Sequence, residues 1–237
     1  MGPISDMTQL PLDLGHRPAL GRADFLVAPS NAAAVAWLDR WPDWPAPALA
    51  LSGPPGSGKS HLARVFAARA GASIIDPALL VTERVPALIA GAAAAVVDEA
   101  ERAAEAPLLH LYNLLAERRG HLLIVSRAAP ARWAIALADL RSRLVAAPSV
   151  AVVAPDEALI GALLVKLFAD RQLAVGEEVL AYLARHLERS FIAAQRAVAA
   201  LDAAALAEHR RITVPLARRM LSLETSEETG EGEAGRA

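Results

Sequence analysis

Short apolar runs alternate with helical patterns along the chain as far as Pro155. The runs are continuous rather than alternating, and each predicts a buried strand: 48–52, 72–76, 94–98, 121–126 and 149–154. Strands of this kind are typical of a parallel sheet that helices cover on both faces. The intervening patterns predict helices at 31–41, 59–70, 79–91, 105–119 and 132–146. We therefore predict an α/β domain with a five-stranded parallel sheet over residues 20–154.

The pattern changes after Pro155, where strands give way to helices alone. The first of these helices has an apolar stripe with i, i+3, i+4, i+7 and i+8 spacing, formed by Ile160, Leu163, Leu164, Leu167 and Phe168. Further helices at 176–187, 190–207 and 214–222 complete a small all-helical domain over 155–223. The tail at 224–237 has no large apolar residue, so we expect it to be disordered.

Charge and composition exclude several classes of protein. The formal net charge is −2 without a basic stripe, whereas a protein that binds DNA directly normally has a cationic surface. The longest uncharged run, between Arg84 and Asp98, is shorter than the roughly 18 residues that a membrane helix needs. Cysteine is absent, the six histidines lack ligand spacing, and no secretory leader is visible. We expect a soluble cytoplasmic protein without a histidine metal site.

The most specific motif is GPPGSGKS, which follows a predicted strand and opens a predicted helix. It satisfies the phosphate-loop pattern in full and in the required context, so the sequence predicts a nucleotide site. Its glycines let the backbone wrap around phosphates with N–H groups pointing inward. The lysine supplies a charge to the β- and γ-phosphate oxygens, and the last serine supplies an oxygen to Mg²⁺. The predicted cofactor-binding residues are Gly53, Pro54, Pro55, Gly56, Ser57, Gly58, Lys59 and Ser60, with His61 supporting the loop.

The segment AAAVVDEAE provides a matching acidic strand end. Asp98 is predicted to meet Mg²⁺ together with Ser60, and Glu99 to polarise the attacking water. Ser126 ends the next strand and is a candidate for contact with the γ-phosphate or that water, although polar residues are common at strand ends. The expected cofactors are ATP or ADP with Mg²⁺.

Two arginines, Arg141 and Arg143, lie in the element LRSRL near the end of a predicted helix, where arginines are favoured in any case. The ordered set GPPGSGKSHL, VVDEAE, VSRAAP and LRSRL, followed by helices alone, resembles the AAA+ ATPases of the DnaA initiator class. ADFLVAPSNAAA is similar to that class's segment beside the nucleotide base, and the likeness covers about residues 20–222. The resemblance implies an AAA+ P-loop domain with a helical lid. It also implies that Arg143 is an arginine finger that reaches the ATP site of a neighbouring subunit.

The sequence departs from this family at one position. The family's lid has a sensor arginine near the start of its third helix, and here SFIAAQRAVAALD places Ala193 there. Arg196 lies three residues further on a similar helical face and is a candidate substitute. Alternatively, the sensor is missing, which would slow the chain's own hydrolysis or blunt its response to the bound nucleotide.

A short leader near the N-terminus, TQLPLDLG, has leucines at alternate positions. They either dock on the chain's own body or occupy a groove in another protein. QLPLDL resembles the hexapeptide by which bacterial proteins dock on the replicative sliding clamp, the β subunit of DNA polymerase III. The resemblance assigns residues 1–19 as a flexible leader, with partner contacts from Gln9, Leu10, Leu12 and Leu14.

Taken together, a clamp peptide, a DnaA-like core and the absence of a following basic DNA-binding domain resemble the Hda family of DnaA inactivators. That resemblance implies a clamp-tethered regulator that promotes hydrolysis of DnaA-bound ATP and so represses re-initiation of replication. Its partners would be DnaA and the clamp, with DNA contacted only through the clamp, a weak ATPase activity of its own and possible homo-oligomers. Two alternatives stay open: an autonomous ATPase or loader that uses Glu99, and a binding adaptor that holds ADP.

Overall fold

The computed structural model describes residues 27–208 and 210–222, and the backbone of the last helix as far as residue 231. The leader at 1–19, including Gln9, Leu10, Leu12 and Leu14, lies outside the described residues, as do positions 20–26 at the start of the predicted α/β domain. Among the described residues, none of the helices has the length and apolar composition of a membrane-spanning segment.

The predicted strands form one parallel sheet, in agreement with the sequence. The order across the five-stranded sheet is β2-β3-β4-β1-β5, and each neighbouring pair is parallel. Every residue of β1 and β3 is buried, which explains why their sequences are apolar throughout rather than alternating. The strand bounds are β1 Ala48–Ser52, β2 Ser73–Ile75, β3 Ala94–Val97, β4 His121–Ser126 and β5 Ser149–Ala151.

Helices cover both faces of this sheet. On one face, Leu49 and Leu51 of β1 pack with apolar residues of α1 and α2. On the other face, Ala48 and Ala50 belong to a core cluster that also contains apolar residues of α4 and α5. The helices of this domain are α1 Ala32–Asp39, α2 Lys59–Ala70, α3 Val85–Leu88, α4 Glu105–Glu117 and α5 Ala138–Ala146.

A second hydrophobic core holds the helical domain together. The stripe predicted from sequence is inward-facing, with Ile160, Leu164 and Phe168 almost fully buried. The first helix begins where Asp156 caps it, its carboxylate accepting the Leu159 N–H at 2.8 Å. The four helices are α6 Glu157–Asp170, α7 Glu177–His186, α8 Phe191–Glu208 and α9 Val214–Glu231.

The helix predicted at 79–91 is wrong for most of its length. The structure has two 3₁₀ turns, Pro77–Leu79 and Thr82–Arg84, before the short helix α3. Pro86 lacks the N–H that a helix interior needs and is tolerated only in the first turn, so a helix can start just before it but not run through it. Gly91, with φ +76°, then turns the chain toward β3.

The helix predicted at 132–146 begins later, at Ala138. The backbone N–H groups of Ala136 and Leu137 donate to the Glu105 carboxylate at 2.9 and 2.7 Å instead of entering a helix. The Trp133 indole N–H donates to the Ala128 carbonyl at 2.8 Å, across the 3₁₀ turn Pro130–Arg132. A side chain 31 residues away in sequence therefore sets this boundary.

The last helix ends later than predicted. α9 continues to Glu231, past the predicted end at 222 and into the tail that the sequence leads us to expect disordered. Glutamates in this stretch are good helix formers, and no proline interrupts it after Pro215.

Candidate functional site

The GPPGSGKS segment forms a loop between the end of β1 and the start of α2. Two of its glycines, Gly56 at φ +72° and Gly58 at φ +93°, adopt the left-handed conformation that other residues rarely take. α2 begins at Lys59, so its first N–H groups and the positive end of its dipole face the loop. This arrangement makes a cradle suited to phosphate groups.

Lys59 is folded into this loop. Its ammonium donates to the Pro54 carbonyl at 2.6 Å and to the Ser57 hydroxyl at 3.4 Å, and the residue is only 8% exposed. Burial lowers the pKa of Lys59; the charges of Asp98 and Glu101 oppose that shift, and Arg127 adds to it. The ammonium thus has neutral oxygen partners in direct contact, and an anion in the loop would supply the counter-charge that it lacks.

Ser60 and the acidic strand end line one cavity of about 700 Å³. The cavity lies between α2 and the carboxyl ends of β2 and β3, with Asp98 and Glu99 on its wall. A serine hydroxyl and a carboxylate are hard oxygen ligands of the kind Mg²⁺ takes, and Mg²⁺ normally keeps water and phosphate as its other ligands. The donor set therefore fits Mg²⁺. The described residues contain no cluster of three or more histidine or acidic side chains that would hold a metal alone.

Glu99 is paired rather than open. Its carboxylate lies 2.7 Å from an Arg102 nitrogen and 3.7 Å from an Arg127 nitrogen. The backbone N–H of Arg127 donates to the Glu101 carboxylate at 3.0 Å, and Glu99 itself has φ +49°. Neither arginine could be recognised as a partner from sequence, because a DE strand end gives no indication of which distant cations lie beside it.

Ser126 ends β4 directly beside Ser52 of β1, and its side chain is buried. Its hydroxyl donates to the Ala128 carbonyl at 2.8 Å. In this structure the hydroxyl thus stabilises the turn after β4, and its predicted contact with phosphate or water stays a prediction.

The helical domain touches the phosphate loop directly. The Phe191 N–H, at the start of α8, donates to the Gly56 carbonyl at 2.9 Å. A Cβ built on Gly56 would lie 2.3 Å from the Ser190 Cβ, and one on Gly58 would lie 3.1 Å from the Phe191 ring. The buried Ser190 also accepts the Ala193 N–H on its hydroxyl at 3.0 Å, which caps α8. Sequence reasoning did not find this contact, since nothing local to either segment encodes it.

The remaining predicted residues occupy the following places. Ala193 is half-buried in the first turn of α8, and Arg196 is exposed one turn further on. His61 lies half-buried in the first turn of α2. Arg143 is exposed on α5, with its guanidinium carbon 5.4 Å from the centre of the buried Tyr112 ring. The roles assigned to these residues stay predictions.

Comparisons with known proteins agree with this architecture. The family model described as Hda, lid domain, matches residues 156–221, which are nearly the whole of α6–α9 up to Leu221. A search of curated proteins gives no match.

Solved structures of initiators and a motor protein have the same fold. Domain III of the replication initiation protein DnaA from Thermotoga maritima matches with a TM-score of 0.73 at 17% identity, over 87% of this chain and 97% of that one. AMPPCP-bound DnaA from Aquifex aeolicus matches with a TM-score of 0.64 at 15% identity, over 79% of this chain and 66% of that one. The Thermotoga maritima RuvB Holliday junction branch migration motor matches with a TM-score of 0.64 at 15% identity, over 82% of this chain and 66% of that one. At these identities the likeness shows the fold alone, that of DnaA domain III, and the lid model adds a similarity to the Hda lid domain over residues 156–221.

Proposed function

We propose that the chain binds ATP or ADP with Mg²⁺ at the loop between β1 and α2. The left-handed glycines, the helix start at Lys59 and the buried ammonium support this proposal. The Aquifex aeolicus DnaA whose fold matches is itself bound to the nucleotide analogue AMPPCP.

In this proposal each residue has a distinct task. The loop backbone donates N–H groups to the phosphates, and the Lys59 ammonium exchanges its contact with the Pro54 carbonyl for a phosphate oxygen. Ser60 and Asp98 would hold Mg²⁺, which neutralises developing phosphate charge when it is bound. The hydrogen bond from the Phe191 N–H to the Gly56 carbonyl would hold that side of the loop against the helical domain.

We further propose that the chain regulates DnaA by promoting hydrolysis of DnaA-bound ATP. The observation that most supports this is the combination of a lid matching the Hda model with an AAA+ body of DnaA fold. Two features fit an action on a partner rather than on the chain's own nucleotide: Arg143 is exposed, and Glu99 is paired with Arg102. Arg143 would stabilise the charge that develops on the γ-phosphate of the partner's ATP.

The leader would tether this regulator to the sliding clamp. This part of the proposal depends on the sequence QLPLDL alone, with Gln9 in a small polar pocket of the clamp and the leucines in an apolar groove. Each leucine contributes roughly 1.5–3 kcal/mol when fully buried, and the binding must also offset the ordering of the leader. A ring-shaped clamp with equivalent sites would add avidity.

The deciding experiment measures phosphate release from ATP-loaded DnaA with this chain, with and without clamp on DNA. We expect clamp-dependent stimulation that Arg143→Ala abolishes; arginine fingers are worth about 10³–10⁵ in rate. Arg141→Ala is the matched control, because Arg141 is also exposed on α5. If folded Arg143→Ala stimulates like the unchanged chain, the finger proposal is wrong.

An autonomous ATPase is the second candidate. Ser60, Asp98 and Glu99 line one cavity, so the chain contains its own apparent machinery for hydrolysis. Fast release of phosphate by the chain alone, lost in Glu99→Gln and unaffected by DnaA, would favour this candidate. Slow basal release with strong stimulation of DnaA would exclude it.

A further inference from the structure

Helix α4 supports the arginine-bearing helix α5 at two points. Near the start of α5, the two oxygens of Glu105 accept the N–H groups of Ala136 and Leu137. Two helical turns further along α4, the Tyr112 ring lies under the guanidinium of Arg143, 5.4 Å from ring centre to guanidinium carbon. Helix α4 therefore fixes where α5 begins and also contacts the Arg143 side chain near the end of α5.

The Tyr112 ring is a fixed surface. The residue is only 6% exposed and packs in the core cluster that also contains Leu140 and Leu144 of α5. These two leucines flank Arg143 and hold the α5 backbone at that point, so what remains free is the torsions of the exposed arginine itself. An unrestrained exposed arginine samples many rotamers.

A guanidinium within about 6 Å of an aromatic centre is attracted by the negative face of the ring. Contact with a buried ring thus favours the rotamers of Arg143 that lie over Tyr112 and depopulates the others. A side chain ordered in advance loses less freedom when it meets an anion.

We propose that Tyr112 is a positioning residue that preorganises Arg143 for the phosphate of a partner's nucleotide. This inference rests on the proposed function for the identity of that phosphate, but the ordering of Arg143 belongs to the free chain. Tyr112 acts through the arginine and touches no substrate. Its ring, rather than its hydroxyl, is the part that matters.

Two substitutions of Tyr112 distinguish the effect of its aromatic ring from the effect of its volume in the core. Tyr112→Phe keeps an aromatic face, whereas Tyr112→Leu fills the core without one. In the free chain, the Arg143 δ-methylene protons, assigned by their loss in Arg143→Lys, are expected upfield from ring current in the unchanged chain and in Tyr112→Phe. In Tyr112→Leu they are expected at the ordinary position. If Tyr112→Leu does not fold, Tyr112→Met takes its place, since methionine adapts to irregular core space.

Phosphate release from DnaA provides the second readout. Tyr112→Leu should lower the maximal stimulation about two- to fivefold, the range expected for a surface cation–π contact. The concentration for half-maximal stimulation should not change, and Tyr112→Phe should retain the stimulation of the unchanged chain.

The outcomes are distinguishable. Ordinary Arg143 chemical shifts in the unchanged chain, or a folded Tyr112→Leu that stimulates fully, would overturn the positioning role while leaving the proposed function standing. Upfield shifts that disappear in Tyr112→Leu, in a chain that never stimulates DnaA, would uphold the ordering of Arg143 by Tyr112 and overturn the proposed function.

Discussion

Lys59 and Arg143 are both cations, but the chain uses them in opposite ways. Lys59 is buried against neutral oxygens of its own loop, whereas Arg143 is exposed on α5 above an aromatic ring. The first cation is suited to a ligand that this chain encloses. The second is suited to a charge on another molecule. In the proposed function, holding a nucleotide and acting on one are then separate tasks, assigned to different elements of the same domain.

The largest expected effect tests the enclosed site. Gly56→Ala should destabilise the chain by about 3 kcal/mol, because a left-handed alanine is strained and its Cβ would overlap Ser190 at 2.3 Å. Gly71→Ala is the matched control: Gly71 is also left-handed, at φ +59°, but no atom lies within 4 Å of the added Cβ. It should cost about 1 kcal/mol. Urea unfolding measures both changes in unfolding free energy, and equal losses would contradict the close contact between Gly56 and Ser190.

Removing the buried cation should weaken nucleotide binding. Lys59→Met deletes the ammonium while keeping an unbranched side chain, and we expect a loss of about 1.5–3 kcal/mol in binding ADP, the value of a hydrogen bond to a charged group. Isothermal titration with Mg²⁺ present measures it. Arg143→Ala is the control and should bind ADP like the unchanged chain. If Lys59→Met binds ADP as tightly, the enclosed site is not the nucleotide site.

Ser190 both caps α8 and lies beside Gly56, so its hydroxyl should contribute to the stability of the chain. Ser190→Ala keeps the Cβ beside Gly56 but removes the hydroxyl that accepts the Ala193 N–H, and caps are worth about 1 kcal/mol. Thermal unfolding should report that loss. Ser222→Ala should be close to neutral, because the exposed Ser222 hydroxyl donates to the Arg219 carbonyl within α9 and caps no helix start. A loss no larger than in this control would mean that the cap is unimportant.

The smallest expected effect is a change in the pH dependence of stability, and it concerns the Glu105 carboxylate at the start of α5. Backbone hydrogen bonds from Ala136 and Leu137 lower the pKa of Glu105. A carboxyl whose folded pKa is depressed stabilises the fold above its unfolded pKa, and that stabilisation is lost as the pH falls through the folded pKa. The acid limb of the stability–pH profile should therefore be shallower in Glu105→Gln. Identical limbs in both proteins would show that this carboxylate does not hold the start of α5.

The bounds of helices and strands were predicted best where the residues of one segment are enough to determine its structure. β1, β4 and α2 have the predicted bounds, because continuous apolar runs and the glycine-rich loop need no distant partner to be recognised. The helix predicted at 79–91 and the first part, 132–137, of the helix predicted at 132–146 failed where one proline or one remote carboxylate overrode a helical pattern. The partners of Glu99 and the contact of Phe191 with Gly56 are tertiary, so no single stretch of sequence could reveal them.

The hydrogen bond from Phe191 to Gly56 joins the phosphate loop to the first residue of the long helix α8. α8 has 18 residues and so extends about 27 Å from this contact. A rotation of about 5° at its first residue would displace its far end by about 2 Å, given a rise of 1.5 Å per residue. Since α6 and α9 pack on α8, they would travel with it. If a ligand changes the shape of the loop, we expect that change to appear as a displacement at the far end of the helical domain.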